Sequence, residues 1–261
     1  MNDGLVRLVS QRFDAFASRY LEAPGDGFAY TLKVEHTRRV LDIAETIARE
    51  EELPERLVPA CRLAALLHDV GRFPQYKQYH TFRDADSANH AALSVTYTLR
   101  EKLLANVPAE IRRLVLGAVY LHNKRILPEL SSPDLRTVAQ LLRDSDKLDI
   151  YRVLIAHFSQ PEQLHPEVAL HVLNEPDKFS EPVLQALLAR SYGDYRHIVY
   201  INDFKLMVIG WLYDLNFRSS CRLLKERGYL DELFDSLPQH ERFDLLRRQI
   251  TQELAQRLKD A

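Results

Sequence analysis

The sequence predicts an all-α protein. Apolar residues recur at spacings of three and four, glycine is scarce at 8 of 261 residues, and no long alternating runs of β-branched residues occur. Helices are expected at about 3 to 22, 31 to 51, 55 to 69, 84 to 105, 108 to 123, 133 to 157, 181 to 190, 201 to 226 and 239 to 259. The first two are separated by Pro24-Gly25-Asp26-Gly27. Gly71 follows the third, Pro108 opens the fifth and Gly228 stops the eighth. Arg72 to Arg83, with Tyr76, Tyr79 and Phe82, reads as an ordered loop over a site. The stretch from 158 to 180, with Pro161, Pro166 and Pro176, is the candidate linker. The expected organisation is a core at 1–157 and a helical extension at 158–261 packed on it, the alternative being a single domain.

Composition narrows the function classes. Lys and Arg number 35 against 37 Asp and Glu, so there is no global positive field and nucleic acid is not an expected partner. No apolar run approaches the ~18 residues that span a bilayer, so no membrane association is expected. The start, Met1-Asn2-Asp3-Gly4-Leu5, lacks the basic, apolar, small-residue order of a signal peptide. With only Cys61 and Cys221, the expected compartment is the cytoplasm, without disulfides.

The chemistry lies in the histidines. His36, Val40, Ile43 and Ile47 form one stripe of the second helix, and Ile111, Val115, Ala118 and His122 form one of the fifth. His68 and Asp69 end the apolar run Leu63-Ala64-Ala65-Leu66-Leu67, His90 shares a face with Ser94 and Tyr97, and Asp146 extends the stripe of Ala139 and Leu142. Five helices thus point His or Asp at a common interior. One histidine on an apolar face is more often a hydrogen-bonded core residue. For six residues the balance reverses, because burying several imidazoles and two carboxylates without a cation costs several kcal/mol. Neutral imidazoles and carboxylates without cysteine suit Mn, Fe, Co, Ni, Zn or Mg.

This pattern of a His, a His-Asp pair and a distant Asp resembles the HD-domain metal-dependent phosphohydrolases, on His36, His68-Asp69 and Asp146. His90 and His122 stand where two-metal members carry two further histidines, and the spacings of 32, 22, 32 and 24 residues suit consecutive helices. The runs His68-Asp69-Val70-Gly71-Arg72-Phe73-Pro74-Gln75 and Thr81-Phe82-Arg83-Asp84 are similar to a bacterial subgroup of these proteins. The resemblance covers about residues 30 to 155 and implies a helical bundle with a five-helix metal-binding core and additional C-terminal helices. It implies His36, His68, Asp69, His90, His122 and Asp146 as ligands of two divalent ions, with Asp69 bridging them. Many members have Lys where Arg72 stands; Arg keeps the charge and adds a bidentate fork. The acidic pair of the stringent-response hydrolases is missing after the His-Asp element, and so is the Gly-Tyr-Pro element of the cyclic-dinucleotide phosphodiesterases.

The activity so implied is hydrolysis of a phosphomonoester or phosphodiester, of a nucleotide or another small phosphorylated metabolite, by a metal-activated water. Asp69, Arg72 and Lys147 are the expected catalytic residues; Arg39, Arg72, His80 and Lys147 are the expected substrate contacts. A di-iron oxygenase with the same ligands and a non-catalytic ligand-binding sensor are the alternatives. Asn89 and Asn123 either orient the adjacent histidines or cap helices. The aromatic-rich helix at 201 to 226 reads as core, the alternative being a pocket wall of Lys205, Asp214 and Arg218 or the surface of a homo-oligomer.

Overall fold

The computed structural model describes residues 2–22, 27–158, 172–191 and 193–259. Most of the expected first turn and of the candidate linker lie outside the described residues. The described chain divides into a unit spanning Met1–Asp149 and another spanning Ile150–Ala261.

The first unit contains α1 (Asn2–Leu21), α2 (Gly27–Glu50), α3 (Val58–Leu67), α4 (Arg72–Tyr79), α5 (His90–Arg100), α6 (Ala109–Leu121) and the start of α7 (Pro133–Phe158). Its organising element is α3. Leu63, Leu66 and Leu67 are fully buried, as are Ala60, Cys61, Ala64 and Ala65, because Arg62 is the one charged residue of an otherwise apolar helix, which leaves it almost no wet face. It packs against α1, α2 and α6. Each buried leucine contributes roughly 1.5–3 kcal/mol, which fixes the C-terminal end of α3 in the interior and carries His68 and Asp69 with it.

Three expectations are corrected. Arg72 to Tyr79 is a helix, not a loop. Pro74 is tolerated because it lies in the first turn, where its missing N–H has no intrahelical acceptor. Phe73 anchors that turn against Phe13, Phe16, Tyr20 and Tyr30, with ring centroids 5.5–6.1 Å apart. The helix expected from 84 begins only at His90, because the Asn89 side chain caps it, accepting from Ala92 N at 2.9 Å. A single 3₁₀ turn, Asp84–Asp86, precedes it.

The second unit holds the end of α7, α8 (Glu181–Leu188), α9 (Ile201–Gly210), α10 (Arg218–Glu226), α11 (Tyr229–Asp235) and α12 (Glu241–Arg257). Every residue of α9 is buried, in accord with a core role. Its polar residues bond to nearby backbone: Asn202 Nδ2 donates to the carbonyls of Pro176 and Lys178, and Lys205 Nζ to that of Ser236. Asp203 accepts from Val199 N and Tyr200 N at 2.9 Å each.

The third correction lies here. The helix expected over 201 to 226 breaks at Gly210, passes through a 3₁₀ turn at Trp211–Asp214 and resumes at Arg218. Arg257 donates to the freed carbonyls of Leu215 and Tyr213 at 2.8 and 3.3 Å, a long-range compensation that local periodicity does not reveal. The short α11 is too brief to show a period. No strand occurs among the described residues beyond one isolated bridge between Leu173 and Tyr200, and no described helix is long and apolar enough to cross a membrane.

Candidate metal centre

Helix ends and helix interiors bring the expected donors together. His36 projects from the middle of α2, on the stripe completed by the buried Val40, Ile43 and Ile47. His68 is the C-cap of α3, and Asp69 lies in the turn that leads into α4. His90 is the first residue of α5, His122 the C-cap of α6, and Asp146 lies on α7. His36, His68, Asp69, His90 and His122 are all buried.

Two backbone contacts set the spacing. Gly71 N donates to Ser94 Oγ at 2.8 Å, and a Cβ at Gly71 would lie 2.4 Å from His90 O and Ser94 N. Only glycine permits the turn after Asp69 to lie this close to the first turn of α5. The buried Arg143 of α7 donates to His122 O at 3.0 Å and also to the carbonyls of Lys124 and Arg125. It thereby satisfies acceptors that the end of α6 would leave open.

The donor atoms form two groups that share Asp69. In the first, His36 Nε2 lies 3.2 Å from His68 Nε2, and each is 3.7 Å from Asp69 Oδ2. Asp146 Oδ1 is 3.1 Å from His36 Nε2 and 3.6 Å from His68 Nε2. In the second, His90 Nε2 and His122 Nε2 are 3.0 Å apart, and Asp69 Oδ1 is 3.8 Å from His90 Nε2. Within His36/His68/Asp69 and within Asp69/His90/His122, ligand atoms lie within 4.8 Å of one another.

The chemistry of this set fits divalent cations. His68 Nδ1 is 2.7 Å from Ala65 O and His122 Nδ1 is 2.6 Å from Val119 O. A carbonyl only accepts, so both rings carry their proton on Nδ1 and present a bare Nε2. His36 Nδ1 lies 2.7 Å from Asp149 Oδ2, and His90 Nδ1 2.7 Å from Asp84 Oδ2. All four Nε2 atoms are thus turned toward the shared carboxylate. The nitrogen pairs at 3.0 and 3.2 Å, with carboxylate oxygens 3.1–3.8 Å from them, are close enough for each group to hold one ion.

The electrostatics agree. Burial alone would raise the Asp69 carboxyl, but Lys33, His68, Arg72 and His90 hold it well below its usual range. Asp146 is likewise held down against its burial by His36 and His68. Burial, reinforced by His90 and His68, pushes His122 down to about 3, so it is neutral and ready to ligate at physiological pH. For His36, burial favours the neutral ring, yet the carboxylates of Asp146 and Asp149 leave its proton affinity raised.

The remaining expected residues are placed unequally. Arg72 Nε is 3.5 Å from Asp69 Oδ1, while its Nη1 donates to Phe82 O, to Gln75 Oε1 at 2.9 Å and to Asp84 Oδ1 at 3.1 Å. Arg39 is turned to Asp149, donating from Nε at 2.6 Å and Nη2 at 3.2 Å. Lys147 follows Asp146 on α7 and is partly exposed. His80 caps α4 in a left-handed conformation, φ 51°, and is exposed. Asn89 caps α5, whereas Asn123 Nδ2 donates to Asp84 Oδ2 at 3.2 Å.

Four residues of the site were not singled out from the sequence. Lys33 Nζ lies 2.8 Å from Asp69 Oδ2 and 5.0 Å from the centre of the Phe82 ring. It stands one helical turn before His36, a phase that would have identified it. Asp149 stands one turn after Asp146 and was legible in the same way. Asp84 and Gln75 are brought in by tertiary packing, and helical phase points to neither.

An all-helical unit with histidine and aspartate donors converging from five helix segments is a metal-binding helical domain. Residues 34–151 match the HD domain family, and this span contains all six expected ligands. Over this segment, somewhat less than half of its length, the chain is similar to the HD domain family. No curated protein and no solved structure matches it.

Proposed function

We propose that this protein hydrolyses a phosphomonoester or phosphodiester, of a nucleotide or another small phosphorylated metabolite, using two divalent ions. His36, His68, Asp69 and Asp146 would hold one ion, and Asp69, His90 and His122 the other. The observation that carries the reading is Asp69, whose Oδ2 faces one histidine pair while Oδ1 faces the other. Ions bound there supply positive charge that activates water near neutral pH and stabilises charge growing on phosphoryl oxygens.

The chain's own residues supply the remainder. Lys33 and Arg72 flank Asp69 on its two oxygens, so an anionic phosphoryl group arriving there meets two fixed cations. Phe82 lies against both, 5.0 Å from Lys33 Nζ and 5.9 Å from Arg72 Cζ, and restricts where they reach. Lys147 and the exposed His80 complete the assignment as outer contacts for the rest of the substrate. The near-balanced charge favours a small molecule over nucleic acid. The two free cysteines, both buried, favour a reducing compartment such as the cytoplasm.

The test is metal analysis of the purified protein together with a phosphatase and phosphodiesterase screen, run beside Asp69→Ala. Phosphate release that depends on bound metal and disappears in Asp69→Ala is expected. Retention of both metal and activity in that variant would refute the site. Oxygen consumption with a candidate polyol or phosphonate, and no phosphate release, would establish oxygenase chemistry instead.

A further inference from the structure

The four histidines are held in two different ways, and the difference follows from where each sits on its helix. His68 and His122 are C-caps, so the carbonyls one turn back, Ala65 and Val119, are free to accept from Nδ1. His90 is the first residue of α5 and has no helical turn behind it. His36 lies inside α2, where the preceding carbonyls are engaged in the helix. Both rings therefore need an acceptor from elsewhere.

Each has one, and the two arrangements are alike. Asp149 accepts from His36 Nδ1 at 2.7 Å and is clamped by Arg39 at 2.6 and 3.2 Å. Asp84 accepts from His90 Nδ1 at 2.7 and 2.8 Å and is clamped by Arg72 at 3.1 Å. Gln75 at 3.0 Å and Asn123 at 3.2 Å also donate to Asp84. This joins α4, α5 and the end of α6 through one carboxylate. Resting on the two-ion reading above, we infer that Asp149 and Asp84 are positioning residues, each controlling one ion site without ligating the ion. Asp149 orients His36 for the first site and Asp84 orients His90 for the second.

A carboxylate behind a ligating imidazole fixes the ring's tautomer and orientation and strengthens its donor nitrogen, and its loss typically weakens metal binding about 10–100-fold. The arginine in each case holds the carboxylate directed at the ring. Because each carboxylate touches only one of the four histidines, the two effects are separable.

The experiment is calorimetric titration of the metal-free protein with Mn²⁺, the second-site step being the one lost in His122→Ala. Asp84→Ala should weaken that step about 10–100-fold and leave the other within about twofold. Asp149→Ala should do the reverse. Asp84→Asn and Asp149→Asn keep an accepting oxygen and should recover part of each loss, which a merely structural role would not give. Equal weakening of both steps by either alanine variant, or no recovery in the asparagine variants, would overturn the inference. A wild type that takes up no ion would instead refute the two-ion reading. The ring orientation is then read separately, by long-range ¹⁵N–¹H NMR of the metal-free protein at pH 8. His90 should be protonated on Nδ1 in the wild type and lose that single tautomer in Asp84→Ala, with His122 unchanged. An unaltered His90 spectrum in the variant would overturn the inference for Asp84 irrespective of metal.

Discussion

Gly71→Ala probes how tightly the turn after Asp69 is set against α5. Gly71 has φ −67° and ψ −20°, so alanine meets no backbone strain there and the perturbation is purely steric. Its Cβ would lie 2.4 Å from His90 O, 2.4 Å from Ser94 N and 2.7 Å from Leu93 Cβ, whereas apolar atoms rest at about 3.5–4.0 Å. The first two obstacles are backbone, so no rotamer change relieves them, and α5 must retreat by about 1 Å. Overpacking of this kind costs about 1–3 kcal/mol, with backbone obstacles placing it at the upper end. The retreat also stretches the buried Gly71 N–H bond to Ser94 Oγ, a loss of about 1–3 kcal/mol. Reduced freedom of the unfolded chain returns about 0.4–1 kcal/mol. The net loss of roughly 2–5 kcal/mol lowers Tm by roughly 5–15 °C for a chain of this size. Displacing His90 by that distance exceeds the roughly 0.2 Å tolerance of a metal site, so the variant also loses the second ion. Thermal unfolding followed by circular dichroism, paired with metal stoichiometry, measures both. A variant with wild-type Tm and two bound ions would refute the close-approach argument. Ser94→Ala, which removes the hydroxyl without adding bulk, separates the hydrogen bond from the clash and should lower Tm by less.

Four further outcomes are expected. Asp69→Ala should lose both ions and His122→Ala only one, as read by elemental analysis, and an equal loss in the two variants would count against a shared Asp69. Chelation of the loaded protein should lower Tm, since an ion present at 100 times its Kd adds about 2.7 kcal/mol of stability; an unchanged Tm would mean that the donors hold no ion. Burial pushes the Cys61 thiol up to about 12, and Cys221 is also buried. An aromatic disulfide reagent at pH 8 should therefore label neither thiol rapidly in the native protein and both after denaturation. The Arg242 guanidinium and the Gln185 amide hold Glu181 down to about 2 from 4.5. A depressed carboxylate adds stability above its unfolded value and loses it as pH falls. The stability difference between wild type and Arg242→Ala should therefore narrow from pH 5 to pH 2, and a widening gap would show that the pair does not act this way.

What could be read from the sequence follows a physical division. A donor on a core-facing stripe must obey the period of its helix, so His36 after one phase of α2, His122 at the end of the Val115 and Ala118 stripe, and Asp146 after Leu142 were visible as polar residues in apolar positions. The apolar run from Leu63 to Leu67 likewise identified its own burial and that of the His68-Asp69 pair at its end. Elements whose limits depend on distant partners were not visible. The break after Gly210 requires carbonyl acceptors to be satisfied by Arg257, 42 residues beyond Leu215, and α4 forms over residues that read as a loop because its anchoring partners for Phe73 lie on α1 and α2.

The same division separates the ligands from the residues that hold them. Lys33 and Asp149 share their helical faces with His36 and Asp146, one turn away, and phase alone would have found both. Asp84 could not be found so, since it lies in a single 3₁₀ turn with no stripe to violate and is only partly buried. Its importance comes from convergence: four donors, from His90, Arg72, Gln75 and Asn123, meet on one carboxylate. A ligand at a helix C-terminus needs no such partner, because its own backbone supplies the acceptor. A ligand at a helix N-terminus does need one, and the residue that serves it must come from the segment preceding that helix or from a different element. The placement of His90 at the start of α5 therefore makes the preceding turn part of the site, so that a change at Asp84 is expected to act on the second ion even though it leaves every ligand in place.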